Sequence, residues 1–420
     1  MNTAAAFWHA EDGGPTRRQQ VPGRLLGDLG GAGASGAPRL QVHARRTWLS
    51  TMVVLGAPGE VYLLTHSALR ARLGLATTAR VERIDPITLK TLEHSPRLAG
   101  GPMWPGGMAL HPSGDLHIVY GNHMHRLDRH CQPVGRRQLA GQDPYNGFVT
   151  LPGGALVTKN LSRTQAARLT VLHPRTLQAM GPPVLCPEPS VARLSAQGDT
   201  VYVAGMHSVM RYHWDAASAR LRPDTGWRWD YLAGTRNSFA WDMVLTENDA
   251  WFMDNGDHGY LWTMRGAGRR FSANRLLRVS LRDARDHGAW EVSGLPGGCV
   301  TNPPLVDVHR GIVLGYDSGN AFLRAWDLLP GGQLRPRWER PGLGCASHML
   351  LYEGSGEVVT NDHQGLSEQV VVIDISTGRE KARVATGGRM QGVVFPCPGW
   401  NRDLYWCSMD RIARLHVTDN

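Results

Sequence analysis

Short apolar runs separated by glycine turns recur along most of the chain. Within each run, apolar residues alternate with polar ones or follow one another without interruption, and the second run of each pair ends in polar side chains. The pattern occurs at 107–122, 148–160 and 349–361. It is typical of a β-hairpin, in which a tight turn that favours glycine joins two antiparallel strands.

A second element follows the hairpins and consists of an apolar strand that runs into a polar turn. It recurs roughly every 40–50 residues, with one longer interval, which is the spacing of repeats that each hold several strands. The segments are 83–88, 126–128, 172–176, 213–215, 279–281, 325–327, 373–378 and 414–416.

Four-stranded repeats of this length predict an all-β fold, a single β-propeller. A helical solenoid of similar period is excluded because the segments are rich in Val, Thr, Tyr, Trp and glycine turns. The eight segments predict eight blades, with seven as the alternative if one terminal repeat is irregular. Since too few residues follow 414–416 to form another strand, we expect the strand-like segment 38–44 to complete the last blade and close the ring.

The same pattern divides the chain into a tail and one domain. Residues 1–37 are rich in Gly and Ala and show no periodicity, so we predict a mobile tail there. Residues 38–420 form the predicted propeller domain.

The phrase Ile-Asp-x-x-Thr-Gly at 373–378 resembles the repeats of quinoprotein-like propellers. The chain as a whole is similar in pattern to the gluconolactonase/regucalcin group and to virginiamycin B lyase. The resemblance covers about 38–420 and rests on residues that build blades. It therefore implies the fold and leaves the activity open.

Composition narrows the class of protein. No apolar run approaches the ~18–20 residues that a membrane helix needs, and the start of the chain lacks the basic and apolar regions of a secretory signal. The six cysteines lie far apart without C-x-x-C spacing, so we expect buried, reduced thiols. These features predict a cytoplasmic protein.

The formal net charge of +9 raises the question of nucleic-acid binding. Basic residues are scattered among acidic ones, and no RNA-recognition, zinc-finger or helix-turn-helix signature is present. We therefore expect a small-molecule ligand rather than a nucleic acid.

Polar side chains end the second strand, and begin the innermost strand, of nearly every predicted blade. Because both positions lie on one face of a propeller, around the mouth of its channel, we expect the ligand site there. The set includes Asn122, Lys159, Asn160, His207, Asp242, Asp254, Asn302, Asp317, His348 and His363.

One interpretation of this face is a metal site for Ca, Mg, Mn or Fe. Hard cations take carboxylate and amide oxygens from separate segments, and the resemblance to the gluconolactonase/regucalcin group implies Asn and Asp ligands together with a Glu. The candidates are Asn160, Asp254, Asn302 and Asp317, but no matching Glu opens the first blade. A four-histidine iron site has only His348 in a suitable position.

The other interpretation is acid/base chemistry. Histidine titrates near neutral pH, so His348, His363 and His258 are candidate acid/base groups, with His348 facing His363 within one blade. Lys159 ends an inner hairpin in a chain that almost always uses Arg, and a desolvated lysine serves as a base or Schiff-base nucleophile. Asp242 completes the catalytic candidates.

Three long predicted loops, 66–80, 160–168 and 258–275, carry arginines to this face. Long loops in compact domains are usually lids or binding loops, and arginine favours anionic groups. The candidate substrate-binding residues are Asn122, His207, Trp241, Arg265, Arg269 and Arg270.

These patterns together predict an enzyme that acts on a small or medium organic substrate, with an anionic one favoured by the arginines. Hydrolase, lyase or isomerase chemistry is expected, because the chain has no nucleotide fingerprint or haem-attachment motif. The alternative is a non-catalytic propeller that binds a partner protein or ligand.

Overall fold

The structure is a computed structural model of the 420-residue chain. It describes residues 7–27, 39–67, 70, 73, 75–101, 106–256, 272–391 and 395–418. These residues belong to two compact units, one of Met1–Arg17 with Trp48–Ala233 and one of Arg18–Thr47 with Gly234–Asn420.

The first unit contains antiparallel sheets whose strands are consecutive in sequence. The strands are β3 (Val61–His66), β4 (Thr77–Ile84), β5 (Thr91–His94) and β6 (Leu98–Gly101); β7 (Gly107–Leu110), β8 (Leu116–Tyr120), β9 (His123–Leu127) and β10 (Pro133–Gln138); β11 (Tyr145–Thr150), β12 (Leu156–Asn160), β13 (Arg168–Leu172) and β14 (Val184–Leu185); and β15 (Ser195–Gln197), β16 (Thr200–Ala204), β17 (Ser208–Asp215) and β18 (Arg220–Asp230).

The second unit is built in the same way. Its strands are β19 (Val244–Leu245), β20 (Asp249–Met253), β21 (Arg275–Ser280) and β22 (His287–Glu291); β23 (Leu305–Asp307), β24 (Ile312–Asp317), β25 (Phe322–Leu328) and β26 (Leu334–Pro341); β27 (Leu350–Tyr352), β28 (Glu357–Gln364), β29 (Ser367–Asp374) and β30 (Glu380–Ala385); and β31 (Cys397–Pro398), β32 (Asp403–Cys407) and β33 (Met409–Thr418). A short strand β1 (Gln20–Val21) pairs in parallel with β27.

Strand β2 (Arg39–Leu55) is the longest strand described, with 17 residues. Its second half pairs antiparallel with β3, from Leu49 opposite His66 to Leu55 opposite Val61. It is also hydrogen-bonded to β33, so the sheet order runs β31-β32-β33-β2-β3-β4-β5.

Some of the predicted polar turns follow the third strand of a sheet and are stabilised by an aspartate of their own. Oδ1 of Asp85 accepts hydrogen bonds from the backbone N–H groups of Ile87 and Thr88, at 3.0 and 2.7 Å. Oδ1 of Asp374 does the same two and three residues further on, at 2.9 Å. The quinoprotein-like phrase therefore encodes a side-chain-supported turn, which any function of the protein can share.

Residues 8–17 do not form the mobile tail that composition predicts. Trp8 is buried in the first unit, and the Arg17 guanidinium, 2% exposed, contacts the carboxylates of Glu11 and Asp12 at 2.8 and 2.9 Å. The Nε atom of Arg17 also donates to the carbonyl oxygen of Leu194 at 2.9 Å. Buried ion pairs fix this segment where hydrophobic periodicity is absent.

Residues 18–27 are likewise packed, in their case within the second unit. The backbone N–H groups of Leu25, Leu26 and Gly27 donate to the buried carboxylate of Glu357 at 2.9, 3.0 and 3.0 Å. Lys381 also binds Glu357, at 2.5 Å. The expectation of a mobile tail is therefore wrong for the described residues 7–27.

The cores consist of Val, Leu, Ile and aromatic side chains that point inward from the alternating strands. Trp227 lies buried in the first unit, and Trp251, Trp326 and Trp406 in the second. All six cysteines are buried and free, as predicted. No helix among the described residues is long and apolar enough to span a membrane.

Candidate functional site

The polar strand ends that the sequence singles out are mostly buried. A buried polar side chain requires hydrogen-bond partners, so its partners show whether it serves the fold or stands ready for a ligand. Of this set the first unit buries Asn122, Lys159 and Asn160, and the second unit buries Asp242, Asp254, Asn302, Asp317, His348 and His363.

The carboxylate of Asp254, a predicted metal ligand, is occupied by hydrogen-bond donors. It accepts from Asn237 Nδ2 at 3.0 Å, from the backbone N–H of Arg275 at 2.7 Å, and from the Arg275 guanidinium at 2.6 and 2.8 Å. Burial raises the pKa of Asp254 to about 6 against the lowering effect of Arg275. The carboxylate therefore remains ionised at neutral pH and anchors the start of β21.

Asp317, the second predicted carboxylate ligand, holds the loops that surround the end of β24. Its Oδ2 atom accepts from Ser293 Oγ at 2.6 Å and from Asn320 Nδ2 at 2.7 Å. Its Oδ1 atom accepts from the backbone N–H groups of Cys299 and Asn320, at 3.1 and 3.0 Å. With four donors, the Asp317 carboxylate anchors these loops.

The two asparagines predicted as metal ligands, Asn160 and Asn302, also form hydrogen bonds within the fold. Oδ1 of Asn160 accepts from the backbone N–H of Arg168 at 2.7 Å, and its Nδ2 donates to Asp143 at 3.0 Å. Nδ2 of Asn302 donates to the carbonyl oxygen of Ala346. Within the described ranges no group of three His, Cys, Asp or Glu is placed to hold a metal ion. The donor sets thus give no support to the predicted metal site.

The remaining candidates of the first unit, Lys159, Asn122 and His207, also form hydrogen bonds within the protein. The Lys159 ammonium, 1% exposed, donates to the carbonyl oxygen of Ser190 at 3.2 Å, and Nδ2 of Asn122 donates to that of Gly141 at 3.2 Å. The backbone N–H of His207 donates to Glu188 at 2.6 Å. The roles predicted for these three side chains in a reaction stay predictions.

In the second unit, Trp241 and Asp242 lie in the interior. The Trp241 ring meets the Phe239 ring edge-on, with 5.7 Å between ring centroids, and Asp242 is completely buried. His258, Arg265, Arg269 and Arg270 lie outside the described residues. The prediction of an arginine-bearing lid stays a prediction.

The two histidines that the sequence pairs within one blade have different neighbours. The His348 ring packs on Phe395 with 4.1 Å between ring centroids and is 1% exposed. His363 lies at the end of β28, where its Nε2 atom is 3.1 Å from the carbonyl oxygen of Arg389. A carbonyl oxygen only accepts hydrogen bonds, so Nε2 of His363 carries the proton and, in the neutral ring, Nδ1 carries the lone pair.

An open pocket of about 550 Å³ lies beside His363. Its walls come from the turn between β24 and β25, from the connection after β26, and from the turn between β28 and β29. They consist of 318–321, Gly342, Gly344 and 362–365. The polar end of β28 and the loops around it thus form a concave site.

Ser318 is a pocket residue that the sequence analysis did not single out. Its backbone N–H donates to Cys299 at 2.8 Å, whereas its hydroxyl oxygen is buried and has no hydrogen-bond partner among the described residues. A buried hydroxyl without a partner costs free energy unless a ligand or a solvent molecule satisfies it. The Ser318 hydroxyl is therefore a candidate donor for a bound molecule.

Asp362 supports the other wall of the pocket. Its Oδ1 atom accepts from the backbone N–H of Gly344 at 2.8 Å. Its Oδ2 atom accepts from Gln364 Nε2 at 2.9 Å and forms an ion pair with Arg383 at 2.6 Å. These contacts fix the turn that carries His363.

Comparison with solved structures identifies the fold. The chain is similar to BamB from Moraxella catarrhalis, with a TM-score of 0.58 and 12% identity over 90% of this chain and 99% of that one. It is similar to a europium-containing methanol dehydrogenase, with a TM-score of 0.61 and 9% identity over 95% and 89% of the two chains. The fold is a β-propeller. No family model and no curated protein matches the sequence.

A third similar structure is AztD from Citrobacter koseri, with a TM-score of 0.50 and 11% identity over 82% of this chain and 87% of that one. At such identities the likeness shows the fold alone. Since one fold hosts many functions, the function must be argued from the pocket and its residues.

Proposed function

We propose that the chain is a β-propeller enzyme that transfers a proton on a small carbonyl compound in the pocket beside His363. The observation that carries the proposal is the hydrogen bond from His363 Nε2 to the carbonyl oxygen of Arg389 at 3.1 Å. It fixes the ring and its tautomer, as a base needs when a second group orients it.

The reaction begins with proton abstraction. Nδ1 of His363 accepts a proton from the substrate carbon next to the carbonyl group, and the electron pair of that C–H bond moves into the carbonyl to form an enolate. In a β,γ-unsaturated substrate, return of the proton from the imidazolium to the γ-carbon completes an isomerisation. In a substrate with a leaving group on the neighbouring carbon, that group departs with its bonding electron pair and takes the proton from the imidazolium, which completes an elimination instead.

The Ser318 hydroxyl stabilises the charge that develops on the substrate oxygen. It lines the same pocket as His363 and is 3% exposed, so water competes poorly for its proton. A preorganised donor that is itself buried contributes more in the charged transition state than in the ground state. His363 therefore transfers the proton, and Ser318 stabilises the negative charge on the substrate oxygen.

The shape of the pocket sets the substrate class. About 550 Å³ is within the range that holds small organic ligands, and the glycines of its wall let a ligand approach the backbone closely. Asn320 and Gln364 add amide groups at the edge. We therefore expect a polar carbonyl compound rather than a long apolar chain.

Hydrogen–deuterium exchange tests this function. The protein is incubated in D2O with small ketones, 2-oxo acids and lactones, and loss of the C–H signal next to the carbonyl is followed by proton NMR. Wild-type protein is expected to accelerate exchange in at least one compound, and His363→Gln, which keeps a donor for Arg389, is expected to lose most of the acceleration. Exchange that is equal in both proteins refutes the proposal.

We further propose that the chain forms eight blades. Two sets of strands, β31-β32-β33 and β3-β4-β5, lie on either side of β2 in the hydrogen-bonding order, which supports β2 as the fourth strand of one blade and the first of the next. On this count the eight blades lie within 38–420, and a crystal structure that shows seven blades contradicts it. The buried free cysteines support our proposal of a cytoplasmic location, which fractionation of the source cells tests.

A further inference from the structure

The first unit contains a separate cavity of about 260 Å³ at the end of the β2-β3-β4 sheet. Trp48 and Leu49 contribute from β2, His66 from β3, and Ala79 from β4. The Trp48 ring is 75% exposed at the edge of the cavity, although it is among the largest apolar side chains of the protein. Large apolar groups left in water beside a cavity are typical of ligand sites.

His66 is the polar group of this cavity. It is 4% exposed, and neither of its ring nitrogens has a hydrogen-bond partner within the described part of the chain. Its ring lies 5.8 Å from the Tyr120 ring, so its surroundings are apolar on that side. Burial lowers the pKa of His66 to about 4, and the ring is therefore neutral at physiological pH, with one donor and one acceptor.

Other buried histidines of the same unit show how unusual His66 is. Nε2 of His111, His117 and His125 lies 3.0, 2.8 and 2.7 Å, respectively, from a backbone carbonyl oxygen. The fold thus supplies a partner to each of these imidazoles. The His66 ring, which has no such partner among the described residues, lines a cavity instead.

The charged side chains around the cavity indicate which ligand charge it favours. Arg80 and Arg97 line it and form no ion pair among the described residues, while Nε of Arg70 donates to the carbonyl oxygen of Ala76 at 2.9 Å. The acidic residue at the edge, Glu82, accepts a hydrogen bond from Thr91 at 2.6 Å. Arginines without carboxylate partners favour an anion with planar oxygens.

We propose that this cavity binds a small carboxylate with an apolar body. The apolar body packs against Trp48, Leu49 and Ala79, a ring N–H of His66 donates to a carboxylate oxygen, and Arg80 and Arg97 attract the negative charge. The site differs from the His363 pocket in its location and in its ligand, so it is a second binding site and does not depend on the proposed proton transfer.

Isothermal titration calorimetry with 4-phenylbutyrate tests the site, with 4-phenylbutanol as the uncharged analogue. Wild-type protein is expected to bind the carboxylate at least ten times more tightly than the alcohol. His66→Phe keeps the ring shape and removes both nitrogens, and it is expected to weaken carboxylate binding at least tenfold. Arg97→Gln is expected to weaken carboxylate binding and to leave alcohol binding unchanged.

Matched variants make the outcome decisive. Arg220→Gln removes another exposed arginine of the first unit, outside the cavity, and is expected to bind like wild type, as is Ser318→Ala. If His66→Phe does not fold, the double variant Arg80→Gln/Arg97→Gln replaces it. This variant removes both arginines of the cavity and is expected to weaken carboxylate binding. Absence of carboxylate binding by wild type up to 10 mM, or wild-type affinity in the cavity variants, overturns the proposal.

Discussion

The Nε2 atom of His363 donates a hydrogen bond to the carbonyl oxygen of Arg389 at 3.1 Å. This contact joins the end of β28 to the connection that follows β30, and it determines which ring nitrogen of His363 can accept a proton. A histidine in a flexible loop exchanges between tautomers, whereas this one is held in a single form beside an open pocket. The account of the protein as a proton-transfer enzyme depends on that difference.

Two buried histidines of the first unit allow a matched test of the hydrogen-bond assignments. His66→Phe is expected to leave the free energy of unfolding unchanged or to raise it, because the imidazole it removes has no partner among the described residues. His125→Phe is expected to lower it by about 1–3 kcal/mol, because the carbonyl oxygen of Ala99 then loses its donor. Urea unfolding measures both, and equal losses contradict the assignments.

The dependence of stability on pH follows from three buried imidazoles. Burial lowers the pKa of His66, His117 and His125 to about 4 each, so the unfolded chain binds protons at these residues between about pH 6.5 and pH 4 and the folded chain does not. Stability is therefore lost as the pH falls through this window. The expected loss at pH 4.5 relative to pH 7 is on the order of 2–3 kcal/mol for each ring.

Asp254 acts in the opposite direction, because its raised pKa of about 6 makes the folded chain bind a proton that the unfolded chain has lost. Its stabilising effect at pH 4.5 roughly offsets the loss of stability caused by one of the three imidazoles. Urea unfolding at pH 7 and pH 4.5 measures the net effect, and His66→Phe is expected to show a smaller loss than wild type. A stability that rises towards pH 4.5 is incompatible with this assignment.

The packed N-terminal segment predicts a large effect of one buried arginine. Arg17→Met removes this partner from the buried carboxylates of Asp12 and Glu11, although Glu11 keeps Arg193 at 3.3 Å. We expect the free energy of unfolding to fall by about 3–5 kcal/mol. The matched variant Arg285→Ala breaks a surface pair with Asp283 and is expected to unfold like wild type. Equal stability of the two variants shows that residues 8–17 are not fixed by these contacts.

The strands were predictable because local patterns encode them. Alternating apolar residues mark each strand, and an aspartate such as Asp85 or Asp374 satisfies the turn that follows it from its own side chain. The apolar alternation of a strand and the aspartate of its turn lie within a few residues of each other, so both can be recognised in the sequence alone. The hairpins at 107–122, 148–160 and 349–361 are confirmed for this reason.

The packing of the N-terminal segment was not predictable in this way. Its contacts join residues more than a hundred positions apart, such as Arg17 to Leu194 and Leu25 to Glu357, and hydrophobic periodicity does not record them. A buried arginine looks like a surface arginine in sequence.

The candidate site was predictable in part. Position at a strand end singled out His363, which lines the pocket, but the partners of a side chain are a tertiary property. Asp254 and Asp317 therefore looked like metal ligands, whereas both are occupied by donors. Ser318 looked like any turn serine, and only the structure shows that its hydroxyl lacks a partner among the described residues.

The measurement that tests the central claim most directly is proton exchange next to a carbonyl group, compared between wild type, His363→Gln and Ser318→Ala in D2O. Removal of the base is expected to slow exchange by about 10²–10⁴-fold, and removal of the hydroxyl by about 10²-fold. His130→Gln changes an exposed histidine outside the pocket and is expected to exchange at the wild-type rate. Exchange at one rate in all four proteins, or no acceleration of any compound by wild type, contradicts the account and favours a non-catalytic ligand-binding propeller.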